Sequence, residues 1–377
     1  MRVIADENMP GVREHFSPYA EVVCLPGRTI SRADLAGADA LLVRSVTPVT
    51  RALLQGTPVR FVGSATIGTD HIDSVALAEM GVAVAAAPGC NAQAVAEYVA
   101  AALLVLSVEQ GWQPEARHVG IVGLGNVGQA VSRLLMRLGF TVLGCDPLRP
   151  ATDPASPPRR ALDALLDEVD ILCLHTPLTR EGPHATWHLL GPERLSRLRP
   201  GAVLLNAGRG AVIDNQALCE LLERRRNLTA VLDVWEGEPA VLPELLARVR
   251  FGTPHVAGYS QEGKWRGTAM VHAAFCAHFG LPCVPVPMPA GQAPVLDLPA
   301  PDLPASAQVA SLFAALCPLA RDDAALRASI RSAAPREAFD ALRRDYPPRF
   351  ECASAYIKEG AASPHLALLQ GLGFRMA

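Results

Sequence analysis

The sequence predicts an α/β protein built on parallel β-sheets, and three features support this. Apolar runs of strand length alternate with helical patterns from residue 1 to about residue 280, which is typical of parallel sheets covered by helices on both faces. A glycine-rich turn lies in the middle of the chain, so a complete α/β unit precedes it. A proline-rich stretch then sets apart a short tail. We therefore expect two Rossmann-like, doubly wound parallel-sheet domains with an extra small α+β domain at the C-terminus.

The expected strands are apolar runs bounded by turn residues. They are Arg2–Ala5, Glu21–Cys24, Ala40–Arg44, Phe61–Gly63, Val82–Ala85, Val119–Val122, Thr141–Cys145, Ile171–Leu174, Val203–Asn206 and Ala230–Val234. Helical patterns fill most of the intervals.

The glycine-rich turn has the layout of a dinucleotide-binding motif. Gly123, Gly125 and Gly128 stand between the apolar run that ends at Val122 and a helical pattern, and Asp146 ends the next apolar run. The glycines permit a tight turn, a close approach to a pyrophosphate and close packing of helix on strand. The N–H groups of the first helical residues, Asn126, Val127 and Gly128, face the phosphates. Asp146 accepts hydrogen bonds from the ribose hydroxyls and repels a 2′-phosphate, which favours NAD over NADP. The alternative is a glycine-rich turn that binds nothing.

The tail follows a stretch in which proline recurs at eight positions between residues 282 and 304. Proline fixes φ and lacks an N–H donor, so we expect an extended linker over 286–304. Helical spacing resumes at Val309, Leu312, Phe313 and Leu316, and a strand pair is possible near Phe350 to Tyr356. A segment this short forms a small core and often gains stability on a partner chain, so we expect 305–377 to be a separate domain that packs on a partner chain. The remaining boundaries are 1–100, completed by about 258–285, for a substrate domain and 101–257 for the NAD-binding domain.

Composition excludes several other classes of protein. The net charge is −3 and no basic stripe is present, so we expect no binding to nucleic acid. The chain begins directly with an expected strand, without a signal peptide, and the apolar stretch 92–108 is interrupted by Gln93 and Glu97 and suits a buried helix. The nine cysteines are scattered without a CxxC pair, which favours reduced thiols in the cytoplasm. We expect no metal site, because His184 and His188 lack the glutamate of a metalloprotease helix. We expect both histidines to be loop residues at the surface.

Polar residues follow four apolar runs downstream of the glycine-rich turn, where open parallel sheets bind ligands. The segments are Leu174-His-Thr-Pro-Leu178, Leu204-Leu-Asn-Ala-Gly-Arg-Gly210, Leu232-Asp-Val-Trp-Glu-Gly-Glu-Pro239 and Thr253-Pro-His-Val-Ala-Gly-Tyr-Ser260. Their residues and spacing resemble the motifs of the D-isomer-specific 2-hydroxyacid dehydrogenase family, and the resemblance covers roughly residues 40 to 280.

This resemblance implies an active site of one arginine, one glutamate and one histidine, which fall on Arg209, Glu238 and His255. A neutral imidazole can take the hydroxyl proton, a glutamate can orient it, and a planar guanidinium can grip the substrate carboxylate. The resemblance also implies NAD contacts at Thr176, Ala207, Gly208, Asp233 and Gly258. Each of these residues has an alternative interpretation. Arg209 could be a solvated turn residue and His255 a surface residue of its loop. Glu238 could be an exposed loop charge, with Glu236 as its rival, and Thr176 and Asp233 could cap turns.

Two N-terminal segments narrow the resemblance to a branch of the family that acts on a phosphorylated acid. They are Val43-Arg-Ser-Val-Thr-Pro48 and Gly63-Ser-Ala-Thr-Ile-Gly-Thr-Asp-His-Ile-Asp73, and general members often have a glycine where Ser64 to Thr66 stand. We expect Ser45, Thr66 and Tyr259 to contact the substrate, with ordinary strand-end hydrogen bonding as the alternative. Arg44 could add charge or pair with Asp70 or Asp73.

The branch carries a C-terminal dimerisation domain and serves pyridoxal phosphate synthesis, so the resemblance implies a cytoplasmic homodimer that binds a small phosphorylated hydroxy acid and no membrane. Two other functions stay open. One is the same chemistry on another acid, such as glycerate or 3-phosphoglycerate. The other is an NAD-sensing protein that resembles the corepressors built on this fold.

Overall fold

The computed structural model describes residues 1–149, 156–289, 293–298, 303–358 and 366–376. The chain forms two compact units. The first unit comprises residues 1–91 and 260–292, and the second comprises 92–259 and 293–377. The expected boundary at 100/101 would fall inside a helix, and the observed one precedes that helix. The tail belongs to the second unit instead of standing alone.

The first unit is built on one five-stranded sheet, and every pair of neighbouring strands is parallel. Its strands are β1 (Arg2–Asp6), β2 (Glu21–Leu25), β3 (Ala40–Val43), β4 (Phe61–Ser64) and β5 (Ala83–Ala85), in the order β2-β1-β3-β4-β5. Its helices are α1 (Val12–Phe16), α2 (Arg51–Leu54), α3 (Ser74–Glu79) and the returning α10 (Gln261–Phe279). Apolar side chains pack on both faces of the sheet, with Phe275 of α10 buried against one of them.

The second unit contains a six-stranded parallel sheet of Rossmann type. Its strands are β6 (His118–Val122), β7 (Thr141–Cys145), β8 (Ile171–Leu174), β9 (Val203–Asn206), β10 (Thr229–Leu232) and β11 (Phe251–Gly252), in the order β11-β10-β9-β8-β6-β7. Its helices are α4 (Ala92–Gln110), α5 (Asn126–Arg137), α6 (Leu162–Glu168), α7 (Pro192–Arg197), α8 (Asn215–Arg224) and α9 (Pro243–Leu246). Strand order reverses between β6 and β8, and such a switch point is where ligands bind in open α/β sheets.

The tail forms four helices and three short strands within its described residues. They are β12 (Val295–Leu296), α11 (Ala305–Leu316), α12 (Leu319–Ser329), α13 (Pro335–Arg344), β13 (Tyr356–Ile357), α14 (Leu366–Gly371) and β14 (Arg375–Met376). The strand pair expected near Phe350 to Tyr356 is wrong. Strand β13 pairs in parallel with β12 and β14 instead of with a neighbouring segment. Because these partners are distant in the sequence, no local pattern around β13 indicates the pairing.

The expected linker 286–304 contributes β12, so it is partly structural, and part of it, with Pro299 and Pro301, lies outside the described residues. The ten expected strands are all present, with ends that shift by at most two residues. The two-residue β11 was not expected, because its apolar run is too short to stand out from the neighbouring loop.

Helix α4 is long and apolar enough to cross a membrane by composition, but 78% of its most apolar window is buried inside the fold. It packs against α5 and against α11 of the tail in one apolar core. It is therefore a core helix, as expected from its interrupting polar residues.

Two buried charged residues tie the tail to the rest of its unit. Arg349 donates from Nη2 to the carbonyl oxygens of Ala94 (3.0 Å) and Ala257 (2.6 Å). The carboxylate of Glu97 on α4 accepts the N–H of Cys352 at 3.1 Å. Burial raises the pKa of Glu97 to about 7, and Glu351 nearby adds to the rise.

Replacing Glu97 by Gln should flatten the pH dependence of stability. The folded carboxyl holds its proton up to about pH 7, against an ordinary pKa of 4.5, so stability is lost as pH rises through that window. The glutamine has no proton to lose, and its amide would occupy the position of Oε2, which is buried without a partner.

Urea unfolding at pH 5.5 and pH 8 measures the effect, which should amount to a few kcal/mol at most. The exposed Glu193 provides a control, since Glu193→Gln should keep the wild-type profile. Equal loss of stability in the wild type and Glu97→Gln would show that Glu97 does not titrate in this range.

Candidate active site

The glycine-rich turn joins β6 to α5 at the switch point of the sheet. Gly123 has φ of 88°, a left-handed conformation that favours glycine. A Cβ on Gly128 would lie 1.9 Å from the carbonyl oxygen of Gly123, so only glycine fits there. Around Gly125 a Cβ would meet nothing within 4 Å, which leaves its side of the turn open. Helix α5 begins at Asn126 and has no side-chain cap on its first N–H groups, as anion binding at a helix N-terminus requires.

Asp146 lies beside this turn, one residue after β7. Its Oδ2 accepts the N–H of Leu124 at 2.9 Å, and its Oδ1 accepts the N–H of Leu148 at 3.1 Å. The carboxylate is only partly buried. The acid that the motif predicts therefore stands next to the glycines.

The ends of β8 and β9 complete this side of the site. A Cβ on Gly123 would lie 3.0 Å from the methyl carbon of Thr176, and one on Gly208 would lie 3.2 Å from the Thr176 carbonyl oxygen. The Thr176 hydroxyl is buried and has no hydrogen-bond partner in the described part of the chain. The next residue back, His175, has both ring nitrogens buried without a partner, and burial lowers its pKa to about 3. The open glycine turn, the uncapped helix and this free hydroxyl fit a bound NAD, for which Asn126, Val127, Ala207 and Gly258 remain predicted contacts.

Asp233 ends the next strand and organises the loop that follows β11. Its side chain is 1% exposed. Oδ1 accepts the hydroxyl of Thr253 (2.6 Å) and the N–H of Val256 (2.8 Å), and Oδ2 accepts the N–H of Ala257 (3.0 Å). Burial raises the pKa of this carboxyl. The nearby His255 and the three hydrogen-bond donors act in the opposite direction, but the pKa stays above its ordinary value. These bonds hold the loop in place, and the contact of Asp233 with NAD stays a prediction.

His255 lies in that loop and is paired with Glu238. Nδ1 of His255 is 2.5 Å from Oε1 of Glu238, which is the bond expected for an oriented imidazole. Oε2 of Glu238 accepts the N–H of Trp235 at 3.2 Å. Although burial acts to raise it, the pKa of Glu238 is lowered by the charge and hydrogen bond of His255 and by the charge of Arg343. The rival acid, Glu236, bonds instead to His188 at 2.8 Å.

The loop that carries Arg209 is held close to the His255 and Glu238 segments by Trp235. The Arg209 loop follows β9, and a Cβ on Gly210 would lie 1.9 Å from the carbonyl carbon of Trp235. Trp235 also donates its indole N–H to the carbonyl oxygen of Thr253 at 3.0 Å. Its backbone and ring therefore join the segments that carry all three predicted catalytic residues. The guanidinium of Arg209 donates to the carbonyl oxygen of Gly208 at 2.9 Å.

Tyr259 and Arg343 form a pair that the sequence analysis did not anticipate. The Arg343 guanidinium carbon lies 5.8 Å from the centroid of the Tyr259 ring. Burial acts to lower the Arg343 pKa, but it is raised overall because Tyr259 and Glu238 favour its charge. No local signal marks Arg343, since it is one of several arginines in an amphipathic helix of the tail.

The other two predicted substrate residues belong to the first unit. Ser45 is exposed just after β3. The Thr66 hydroxyl lies 2.7 Å from that of Ser64 and donates to the carbonyl oxygen of Gly68. Arg44 pairs with the buried Asp6 at 3.1 Å, and not with Asp70 or Asp73. Asp73 caps α3 through its bond to the N–H of Ala76.

Among the residues that the structure describes, two groups of side chains have the geometry to hold a metal ion. One is His188 with Asp214 and Glu236, and the other is His272 with Cys276 and Cys283. The placement of His188 corrects the expectation of a surface loop residue, because its ring is half-buried and bonded to Glu236. Hydride transfer to NAD requires neither group.

A paired histidine and glutamate in the same unit as a dinucleotide-type glycine turn are the features expected of a dehydrogenase, and comparison with known proteins supports that class. Residues 92–257 match the family model described as D-isomer specific 2-hydroxyacid dehydrogenase, NAD binding domain. The chain is 47% identical to erythronate-4-phosphate dehydrogenase from Pseudomonas aeruginosa over 100% of both chains. It is 48% identical to that of Azotobacter vinelandii, over 99% of each. The chain therefore belongs to the D-isomer specific 2-hydroxyacid dehydrogenase family, and its NAD-binding domain confirms the expected cofactor.

Solved structures of other proteins share the fold over most of this chain. The TT0316 protein from Thermus thermophilus is 29% identical with a TM-score of 0.63, and the match covers 75% of this chain and 98% of that one. D-lactate dehydrogenase from Aquifex aeolicus, solved with NAD and lactic acid, is 22% identical with a TM-score of 0.62. This match covers 74% of this chain and 96% of that one. The second likeness is one of fold alone. About a quarter of this chain has no counterpart in either protein.

Replacing Asp146 by Ala should weaken use of NAD and relax discrimination against NADP. The loss of a charged acceptor at the ribose should lower the ratio of kcat/KM for NAD over NADP by about 10- to 100-fold. Asp146→Asn is the matched variant, because it keeps an oxygen for the Leu124 N–H but removes the charge. Steady-state kinetics with both cofactors test this, and an unchanged ratio in both variants would mean that another residue selects the cofactor.

Proposed function

We propose that this chain catalyses the NAD-dependent oxidation of 4-phospho-D-erythronate to 2-oxo-3-hydroxy-4-phosphobutanoate, a step toward pyridoxal phosphate. The observation that carries the proposal is the 2.5 Å hydrogen bond between Nδ1 of His255 and Oε1 of Glu238, in the unit that also contains the dinucleotide-binding motif. End-to-end identity of 47% with a protein named for this substrate supports the choice of acid.

The chemistry divides between the cofactor and the side chains. When bound, NAD accepts the hydride from C2 of the substrate. The glutamate bond on Nδ1 leaves Nε2 of His255 to take the proton from the C2 hydroxyl. Glu238, kept ionised, stabilises the imidazolium that forms. Arg209 binds the substrate carboxylate and polarises the developing carbonyl.

Ser45, Thr66 and Tyr259 are the proposed further substrate contacts. Support comes from their positions at strand ends or beside the catalytic loop, and from their hydroxyl groups, which can donate to anionic oxygens. Asp233 and Gly258 complete the proposed NAD site.

A panel of acids tests the proposal by the absorbance of NADH. Turnover should be fastest with 4-phosphoerythronate and slower with erythronate, D-glycerate and 3-phosphoglycerate. His255→Ala should abolish turnover. Selectivity for an unphosphorylated acid would contradict the substrate, while NAD binding without turnover of any acid would favour an NAD-sensing protein.

Arg209→Lys should lower kcat/KM on the order of 100-fold, because a point charge cannot reproduce the planar fork of a guanidinium. Arg199 on the surface, paired with Asp170 at 3.0 Å, offers the control Arg199→Lys, which should match the wild type. Near-normal kinetics for Arg209→Lys would remove Arg209 from the site.

The protein is proposed to act as a cytoplasmic homodimer joined through its tail. The nine free cysteines support a reducing compartment. Strand β12 lies at an edge of its sheet and exposes Val295, with 55% of its surface accessible, and an open edge of this kind pairs readily with a second copy.

Sedimentation velocity tests the assembly. The wild type should sediment at about twice the chain mass of 39.9 kDa, and Val295→Lys should shift it toward the monomer, because a charge at an edge strand opposes pairing. A monomeric wild type at micromolar concentration would contradict the dimer. A stable dimer of Val295→Lys would place the interface elsewhere.

A further inference from the structure

Two adjacent arginines at the end of α13 have opposite environments. Arg344 is exposed and pairs with its neighbour Asp345 at 2.8 Å. Arg343 turns toward Tyr259, with its guanidinium carbon 5.8 Å from the ring centroid. It also hydrogen-bonds the Tyr259 side chain and lies close enough to Glu238 to lower the pKa of that carboxyl. The tail thus supplies a cation beside the catalytic pair.

The hydrogen bonds of this cation are incomplete. Nε of Arg343 is buried and has no hydrogen-bond partner among the described residues. The carboxylate oxygens of Glu238 have hydrogen-bond partners other than Arg343, because Oε1 is bonded to His255 and Oε2 accepts the N–H of Trp235. A buried N–H without an acceptor costs stability, so its presence here points to an acceptor that arrives with a ligand.

The proposed substrate carries two anionic groups, and each needs a cationic or hydrogen-bonding partner. Arg209 is assigned to the carboxylate. Arg44, the cation considered first for the phosphate, is engaged by the buried Asp6. Arg343 remains as a cation next to Tyr259, which is itself a proposed substrate contact.

We propose that Arg343 is a specificity-determining residue that binds the substrate phosphate together with the Tyr259 hydroxyl. This inference rests on the proposed function and deepens it. The tail is then part of the active site of its own chain, in addition to any role in assembly.

Arg343→Met tests the proposal, since it keeps the length and packing of the side chain and removes the charge. Arg344→Met is the matched control on the neighbouring exposed residue. For each protein we would measure kcat and KM for 4-phosphoerythronate, and the inhibition constants of inorganic phosphate and of erythronate as competitors. Thermal melting and NADH binding would verify that the variants fold.

The expected result is a loss of about 10- to 100-fold in kcat/KM for Arg343→Met, mainly through KM. Inhibition by inorganic phosphate should weaken by a similar factor, while the inhibition constant of erythronate stays at the wild-type value. Arg344→Met should match the wild type throughout.

Three results would overturn the proposal. Unchanged kinetics in Arg343→Met would exclude a contact with substrate. Weaker inhibition by erythronate with unchanged inhibition by phosphate would assign Arg343 to the carboxylate. A fall in kcat with unaltered KM and inhibition constants would make it a positioning residue for Glu238. A wild type that does not oxidise 4-phosphoerythronate would instead refute the proposed function, which separates the two failures.

Discussion

The loop that carries His255 depends on one buried carboxylate. Asp233, at the end of β10, gathers a hydroxyl and two N–H groups of the segment 253–257. Its own carbonyl oxygen accepts the N–H of His255 at 2.7 Å. These bonds hold His255 at φ of 57°, a conformation that costs a non-glycine residue about 1–3 kcal/mol. Hydrogen bonds to a charged group contribute roughly 1.5–3 kcal/mol each, so three of them offset the strain and fix the imidazole beside Glu238.

Trp235 connects the loop that carries His255 to the loop that carries Arg209. Its backbone meets Gly210 and donates to Glu238, and its indole bonds to the carbonyl oxygen of Thr253. One rigid aromatic residue therefore sets the spacing of three loops that approach from three neighbouring strands. Sites held by packed, hydrogen-bonded neighbours in this way keep the geometry that proton and hydride transfer need.

The tail contributes to the same arrangement from the outside. The buried Arg349 donates to the carbonyl oxygen of Ala257 in the loop that carries His255, and Tyr346 packs edge-on against Tyr259. Helix α11 shares an apolar core with α4 and α5. A segment expected from its length and composition to serve assembly is thus integrated into the NAD-binding unit, because its own apolar surface is too small to form a separate core.

The sequence by itself determined the strands and the glycine turn with Asp146, because these features depend on local spacing and on the chemistry of single residue types. The family resemblance singled out Arg209, Glu238 and His255, whose catalytic role stays a prediction. The bond between Glu238 and His255 could be expected as a condition of that chemistry. Only the tertiary structure decided that Asp233 anchors a loop, that Arg44 pairs with Asp6, and that Arg343 stands beside Tyr259. Those contacts join residues far apart in the chain, and the packing of helices and sheets brings them together without any pattern in the sequence around them.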